Sequence, residues 1–110
     1  MNNKTLAVLI GLATLGGCAG HDPVDRVVYR DEPLVKDVEP GMSKERVLTI
    51  GGPPSSEVDR QAQPGSCNNY VLNHDGREQT YYVTFDGQGR VDGKGFTTCE
   101  EIDRHQLRHR

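Results

Sequence analysis

A chain of 110 residues with 34% apolar residues, no Trp and two Phe has room for one domain and little material for its core. A core that small gains from a cross-link, which makes the three cysteines worth following. The formal net charge of −3, with both signs interspersed, lacks the basic face that tracks a phosphate backbone, and nucleic acid is not the expected partner.

The chain opens with Asn2-Asn3-Lys4 and then an apolar run from Thr5 to Leu15, the layout and length of a signal peptide. A transmembrane helix needs about 20 apolar residues. Here the chain turns polar at His21-Asp22-Pro23, directly after Leu15-Gly16-Gly17-Cys18-Ala19-Gly20. A small-residue pair before a cysteine, with Leu15 third from it, resembles the lipobox of bacterial lipoproteins. The resemblance implies a lipoprotein signal peptide over residues 1–17. It also implies that Cys18 becomes the first mature residue, with diacylglycerol on its thiol and a further acyl group, such as palmitate, on its amino group. Several acyl chains, at about 0.8 kcal/mol per buried methylene, make such an anchor nearly permanent. In inner-membrane lipoproteins a retention aspartate stands where this chain has Ala19, so the resemblance implies the outer membrane, facing the periplasm. An ordinary signal peptide, or a buried apolar helix with an incidental cysteine, is the alternative.

Residues 18–34 are dominated by Asp, Arg, Glu, Gly and Pro and read as the lipidated N-terminus and an extended tether. Stretched, it would reach roughly 50 Å. Its one apolar cluster, Val27-Val28-Tyr29, has docking beside the core as its alternative. Residues 35–103 then form the domain and 104–110 a basic, His-containing tail.

Within the domain, Ser43 has the chemistry of an N-cap, Glu45 suits the first turn, and Met42 with Val47 has the spacing of a hydrophobic staple. Val47, Leu48 and Ile50 supply a short apolar face before Gly52 and Pro53-Pro54 stop the helix. A two-turn helix needs tertiary packing. The expected support is a meander of three strands: Cys67–Leu72, Thr80–Phe85 with Tyr81, Val83 and Phe85 on one side, and Arg90-Val91 leading to Gly95–Cys99. Ser56-Glu57-Val58 is a weak edge segment beside it.

Cys67 and Cys99 are left as an even pair, and the oxidising compartment implied by the leader favours a disulfide between them. Two free thiols are the alternative. The first and third strands of a meander run parallel, so a cysteine at the start of one and a cysteine at the end of the other meet only if the chain bends back.

Candidate chemistry is thin. His105 and His109 share a helical face but lack further ligands, His74-Asp75 reads as a turn, and Ser55-Ser56-Glu57 has no base placed to activate it. Gly51-Gly52 lacks a phosphate-loop Lys-Ser/Thr. No catalytic residue, cofactor or metal is expected, and the reading is not an enzyme.

Gly41-Met42-Ser43-Lys44-Glu45-Arg46-Val47 through Gly52-Pro53-Pro54 resembles the signature of the SmpA/OmlA, or BamE-like, lipoprotein domain. Val35-Lys36-Asp37-Val38, Pro54 to Val58, Gly65-Ser66-Cys67 with Tyr70, and Thr98-Cys99-Glu100 extend the resemblance to osmotically inducible lipoproteins of that family. It implies an α+β fold of short helices on a three-stranded antiparallel meander, shared with a β-lactamase inhibitor. It also implies a structural or adaptor role in the osmotic stress response, with Gly41 and Met42 as a candidate surface for envelope proteins. Inhibitor, binding module and accessory factor in outer-membrane protein assembly are the other roles found on the fold.

Overall fold

The alternation in Thr80-Tyr81-Tyr82-Val83-Thr84-Phe85 is realised in the computed structural model, which describes residues 23–109: Tyr81, Val83 and Phe85 are all buried. They lie on β3 (Arg77–Phe85), which pairs antiparallel with β2 (Ser66–His74) along its whole length. β4 (Val91–Gly95) pairs with the other side of β3, with a bulge where Thr84 gives way to Phe85.

The meander has a fourth strand that the apolar pattern only hinted at. β1 (Ser56–Asp59) pairs antiparallel with the start of β2, so the sheet runs β1-β2-β3-β4 in chain order. With Val58 as its one apolar residue, β1 is held mainly by polar contacts. Ser55 donates to the Asn69 carbonyl from its amide at 2.8 Å and its hydroxyl at 3.1 Å, Asn69 Nδ2 donates to Ser56 Oγ, and Glu57 pairs with Lys44.

Among the described residues the helices are α1 (Pro23–Val28), α2 (Pro33–Lys36), α3 (Lys44–Gly51) and α4 (Cys99–Arg108). α3 is built as the sequence predicts. Ser43 Oγ accepts from the Arg46 amide at 3.2 Å, and Gly52 takes φ +78° while its amide donates to the Leu48 carbonyl. Val47 is fully buried and Met42 packs against the same core. That core lies on one face of the sheet, where Tyr70, Leu72, Tyr81, Val83 and Phe85 meet Tyr29, Leu34, Val38 and Val47 from the preceding helices and loops.

The tether expected through Leu34 is therefore shorter. α1 is helical, Tyr29 is fully buried with its hydroxyl donating to the Arg77 carbonyl at 2.7 Å, and Leu34 is buried in α2. A tyrosine among arginines and acids carries no local periodicity; its burial is decided by residues 48 positions away. The leader and Cys18 lie outside the described residues.

Burial, with Tyr82 adding to it, pushes the Tyr81 phenol up to about 12, and burial also raises Tyr70 and Tyr82. The native state thus holds phenolic protons that the unfolded chain releases near pH ~10. Stability is full below that pH and is lost as the pH climbs toward about 12. Urea midpoints should be flat up to pH ~10 and fall beyond it. A midpoint that stays constant to about pH 12 would contradict this burial of Tyr81.

Candidate functional site

The sheet's second face is where the sequence-predicted cysteines come together. Cys67, Asn69, Tyr82 and Thr84 point away from the main core, and α4 crosses over the first of them. Asn69 Oδ1 accepts from the Cys99 amide at 2.8 Å, and Thr98 Oγ1 caps the helix by accepting from the Glu101 amide at 3.1 Å. These two bonds fix the first turn of α4, and Cys99 is disulfide-bonded to Cys67 with Cα atoms 5.8 Å apart. Both cysteines are buried.

The geometric conflict in the meander is resolved by the shortness of β4. Gly95 lies opposite Tyr82, which lies opposite Asn69, so the chain leaves the sheet close to the level of Cys67 and turns back across it through Phe96-Thr97-Thr98. Cys99 opens a helix where a strand end was expected, and the tail expected from residue 104 is helical through Arg108. The sequence does hold the signal. Thr98-Cys99-Glu100-Glu101 has the spacing of a capping box, although few apolar residues follow it.

Beside the disulfide lies a residue that sequence reasoning did not single out. The Arg60 side chain is 2% exposed. Its Nη1 donates to the Phe85 carbonyl at 3.1 Å and to both Asp92 oxygens at 3.0 Å, and its Nη2 donates to Gln106 Oε1 at 3.1 Å. Thr84 Oγ1 donates to the same carboxylate at 2.7 Å. One guanidinium thereby joins the end of β1 to β3, β4 and α4. Asp103 completes the seam by accepting from the Gln61 and Ala62 amides. A lone arginine in Asp59-Arg60-Gln61-Ala62 has no pattern that announces this role.

Val58, Arg60, Cys67, Cys99, Ile102 and Gln106 line a cleft of about 140 Å³ along that seam. Its walls are largely apolar and both Nη groups of its guanidinium are engaged within the fold, so the arrangement joins elements and offers no activated nucleophile.

The remaining candidates are placed as follows. Gly41, at φ +89°, donates from its amide to the Val91 carbonyl at 2.9 Å, and the Val91 amide donates to the Met42 carbonyl at 2.8 Å. The pair thus extends the outer edge of β4, with Gly41 exposed and Met42 partly so. His74 Nε2 is 3.5 Å from Asp75 Oδ2 at the exposed β2–β3 turn. His105 and His109, both exposed at the C-terminal end of α4, have ring centroids 4.2 Å apart. Ser55, Ser56 and Glu57 are spent on β1, and Gly51 gives Leu34 room, since a Cβ there would lie 2.4 Å from Leu34 Cδ2. Among the described residues no three His, Cys, Asp or Glu converge as metal ligands.

Removing one partner of a buried ion pair leaves the other uncompensated, and the two ends of this pair differ in exposure: Arg60 is sealed at 2% and Asp92 is 34% exposed. Asp92→Ala should destabilise the domain by about 3 kcal/mol. Arg60→Met, which leaves the charge that can reach water, should cost less. Urea unfolding of both variants checks the order, and equal or reversed losses would contradict the account.

The comparisons with known proteins agree with this architecture. Residues 28–95 match the family described as the outer membrane protein assembly factor BamE domain. The chain is 40% identical over 107 residues to OsmE of Escherichia coli K12, named as an osmotically inducible lipoprotein, covering 92% of this chain and 93% of that protein. The same figures hold for OsmE of Escherichia coli O157:H7. A crystal structure of an OsmE lipoprotein superposes with a TM-score of 0.77 at 56% identity, covering 81% of this chain and 94% of that one. Matched over most of its length in sequence and in fold, this chain belongs to the BamE family and within it is an OsmE-like lipoprotein.

Proposed function

We propose that the protein is anchored in the outer membrane by acyl chains on Cys18 and faces the periplasm. There it serves the osmotic stress response as a structural or adaptor component, without catalysis. The observation that carries this reading is the Cys67–Cys99 bond. It consumes the even pair in a form that persists in oxidising compartments, and it leaves Cys18 as the odd thiol inside Leu15-Gly16-Gly17-Cys18. The name of the E. coli relatives supports both the lipid and the osmotic induction. The non-catalytic part is supported by the commitment of Arg60, Asp92 and Asp103 to contacts between elements. The exposed edge at Gly41 and Met42 is the surface proposed for envelope proteins.

The family's own description favours a second reading, an accessory role in outer-membrane protein assembly. Cross-linking in intact cells separates the two. Assembly components recovered equally at low and high osmolarity support the accessory role, whereas partners that appear with high osmolarity support the stress adaptor.

The anchor is tested by mass. The N-terminal peptide of the wild-type protein should begin at Cys18 and carry a diacylglycerol and an acyl group, and Cys18→Ala should leave the membrane fraction. An unmodified Cys18, or one disulfide-bonded to another cysteine, would overturn the localisation.

A further inference from the structure

α1 carries two valines that the core does not use. Val27 is 62% exposed and Val24 46%, while Asp25 and Tyr29 of the same stretch are buried. Residues three apart lie on one side of a helix, so the two valines form a single outward apolar strip. The opposite side of α1 is fastened to the domain: Asp25 Oδ1 is 3.4 Å from Arg77 Nη2, and the Tyr29 hydroxyl donates to the Arg77 carbonyl. The strip therefore cannot roll inward without breaking the burial of Tyr29.

We propose that this strip is a membrane seat: Val24 and Val27 rest on the phospholipid surface that holds the acylated Cys18. The inference rests on the anchoring reading above. Four residues lie between Cys18 and Pro23, and the five steps from one to the other span at most about 18 Å. The polar headgroup layer on one side of a bilayer is about 5 to 8 Å thick. A helix so tethered is confined to the neighbourhood of the lipid, and confinement raises its effective concentration at the surface far above that of a free domain. Two valines are too few to recruit an untethered protein, and they suffice to choose which side of a tethered one faces down. Charge does not make the choice, because Arg26 and Arg30 are balanced by Asp31 and Glu32. The contact is therefore expected on neutral phosphatidylcholine and to be insensitive to salt.

The seat gives the domain a direction. α1 sits by the β2–β3 turn, next to His74 and Arg77, whereas the contacts of Asp103 with Gln61 and Ala62 place the C-terminal half of α4 at the other end of β2. β2 has nine residues, which span about 30 Å. The α4 end is thus the end presented away from the membrane.

The chain has no tryptophan, so a single one reports its own position. The full chain carrying Val27→Trp is made in cells that process lipoproteins, purified, and reconstituted into phosphatidylcholine vesicles with brominated acyl chains. Leu107→Trp on α4 is the distal comparison. The mass of the N-terminal peptide is read on the same samples. Quenching at position 27 several-fold stronger than at position 107 is expected, and Val24→Trp should repeat it if Val27→Trp folds poorly. With acylated Cys18 confirmed by mass, equal quenching at the two positions overturns the seat and leaves the anchor standing. So does unquenched, blue-shifted emission from the Val27→Trp chain, which would mean that a second copy covers the strip. An unmodified Cys18 overturns both readings.

Discussion

The bond between Cys67 and Cys99 determines what the second face of the sheet can be. The apolar core lies on the other face, where Tyr29, Leu34, Val38 and Val47 close over β2 and β3. α4 brings chiefly Cys99 and Ile102 to its own side, too little apolar surface to hold a ten-residue helix by burial. The covalent tie supplies what is missing. Closing a loop of 32 residues contributes roughly 3.5 to 4 kcal/mol in the chain-entropy model. That is a large part of the 5 to 15 kcal/mol, roughly, that a whole domain possesses.

The polar seam depends on that tie. Gln106 reaches Arg60 and Asp103 reaches the 61–62 amides because the first turn of α4 is pinned beside Asn69. Arg60 in turn can be buried because Asp92, the Phe85 carbonyl and Gln106 converge on it. The sheet is thus covered on both faces by unlike means, apolar packing on one and a disulfide with a charge network on the other. A chain with 34% apolar residues has little alternative.

The parts legible in the sequence were those with local causes. Ser43, Gly52 and the Met42–Val47 spacing specify α3 through bonds and contacts a few residues apart, and the alternation in β3 specifies its buried side. The parts that were not legible, or only weakly so, have distant causes. Tyr29 is buried by the β2–β3 turn, β1 is stitched to Asn69 by hydroxyls, and Arg60 gathers partners from several elements. α4 is an intermediate case, since its capping box stood in the sequence while its apolar face was too thin to support a helix reading. Of the candidate site, the cysteine pair was found from parity and compartment; its place beside an arginine seam needed three dimensions.

The fold and the proposed anchor fit together as a division of labour among three cysteines. Cys67 and Cys99 fasten the last helix to the sheet, and in the proposed anchor Cys18 is the cysteine that takes the lipid. The claim most open to direct test is that the disulfide, and not packing, holds α4. Hydrogen exchange measured on the oxidised and reduced protein should show the amides of α4 losing protection on reduction while the β2–β3 ladder keeps its own. Unchanged protection of α4 after reduction would show that burial alone suffices and would contradict the account.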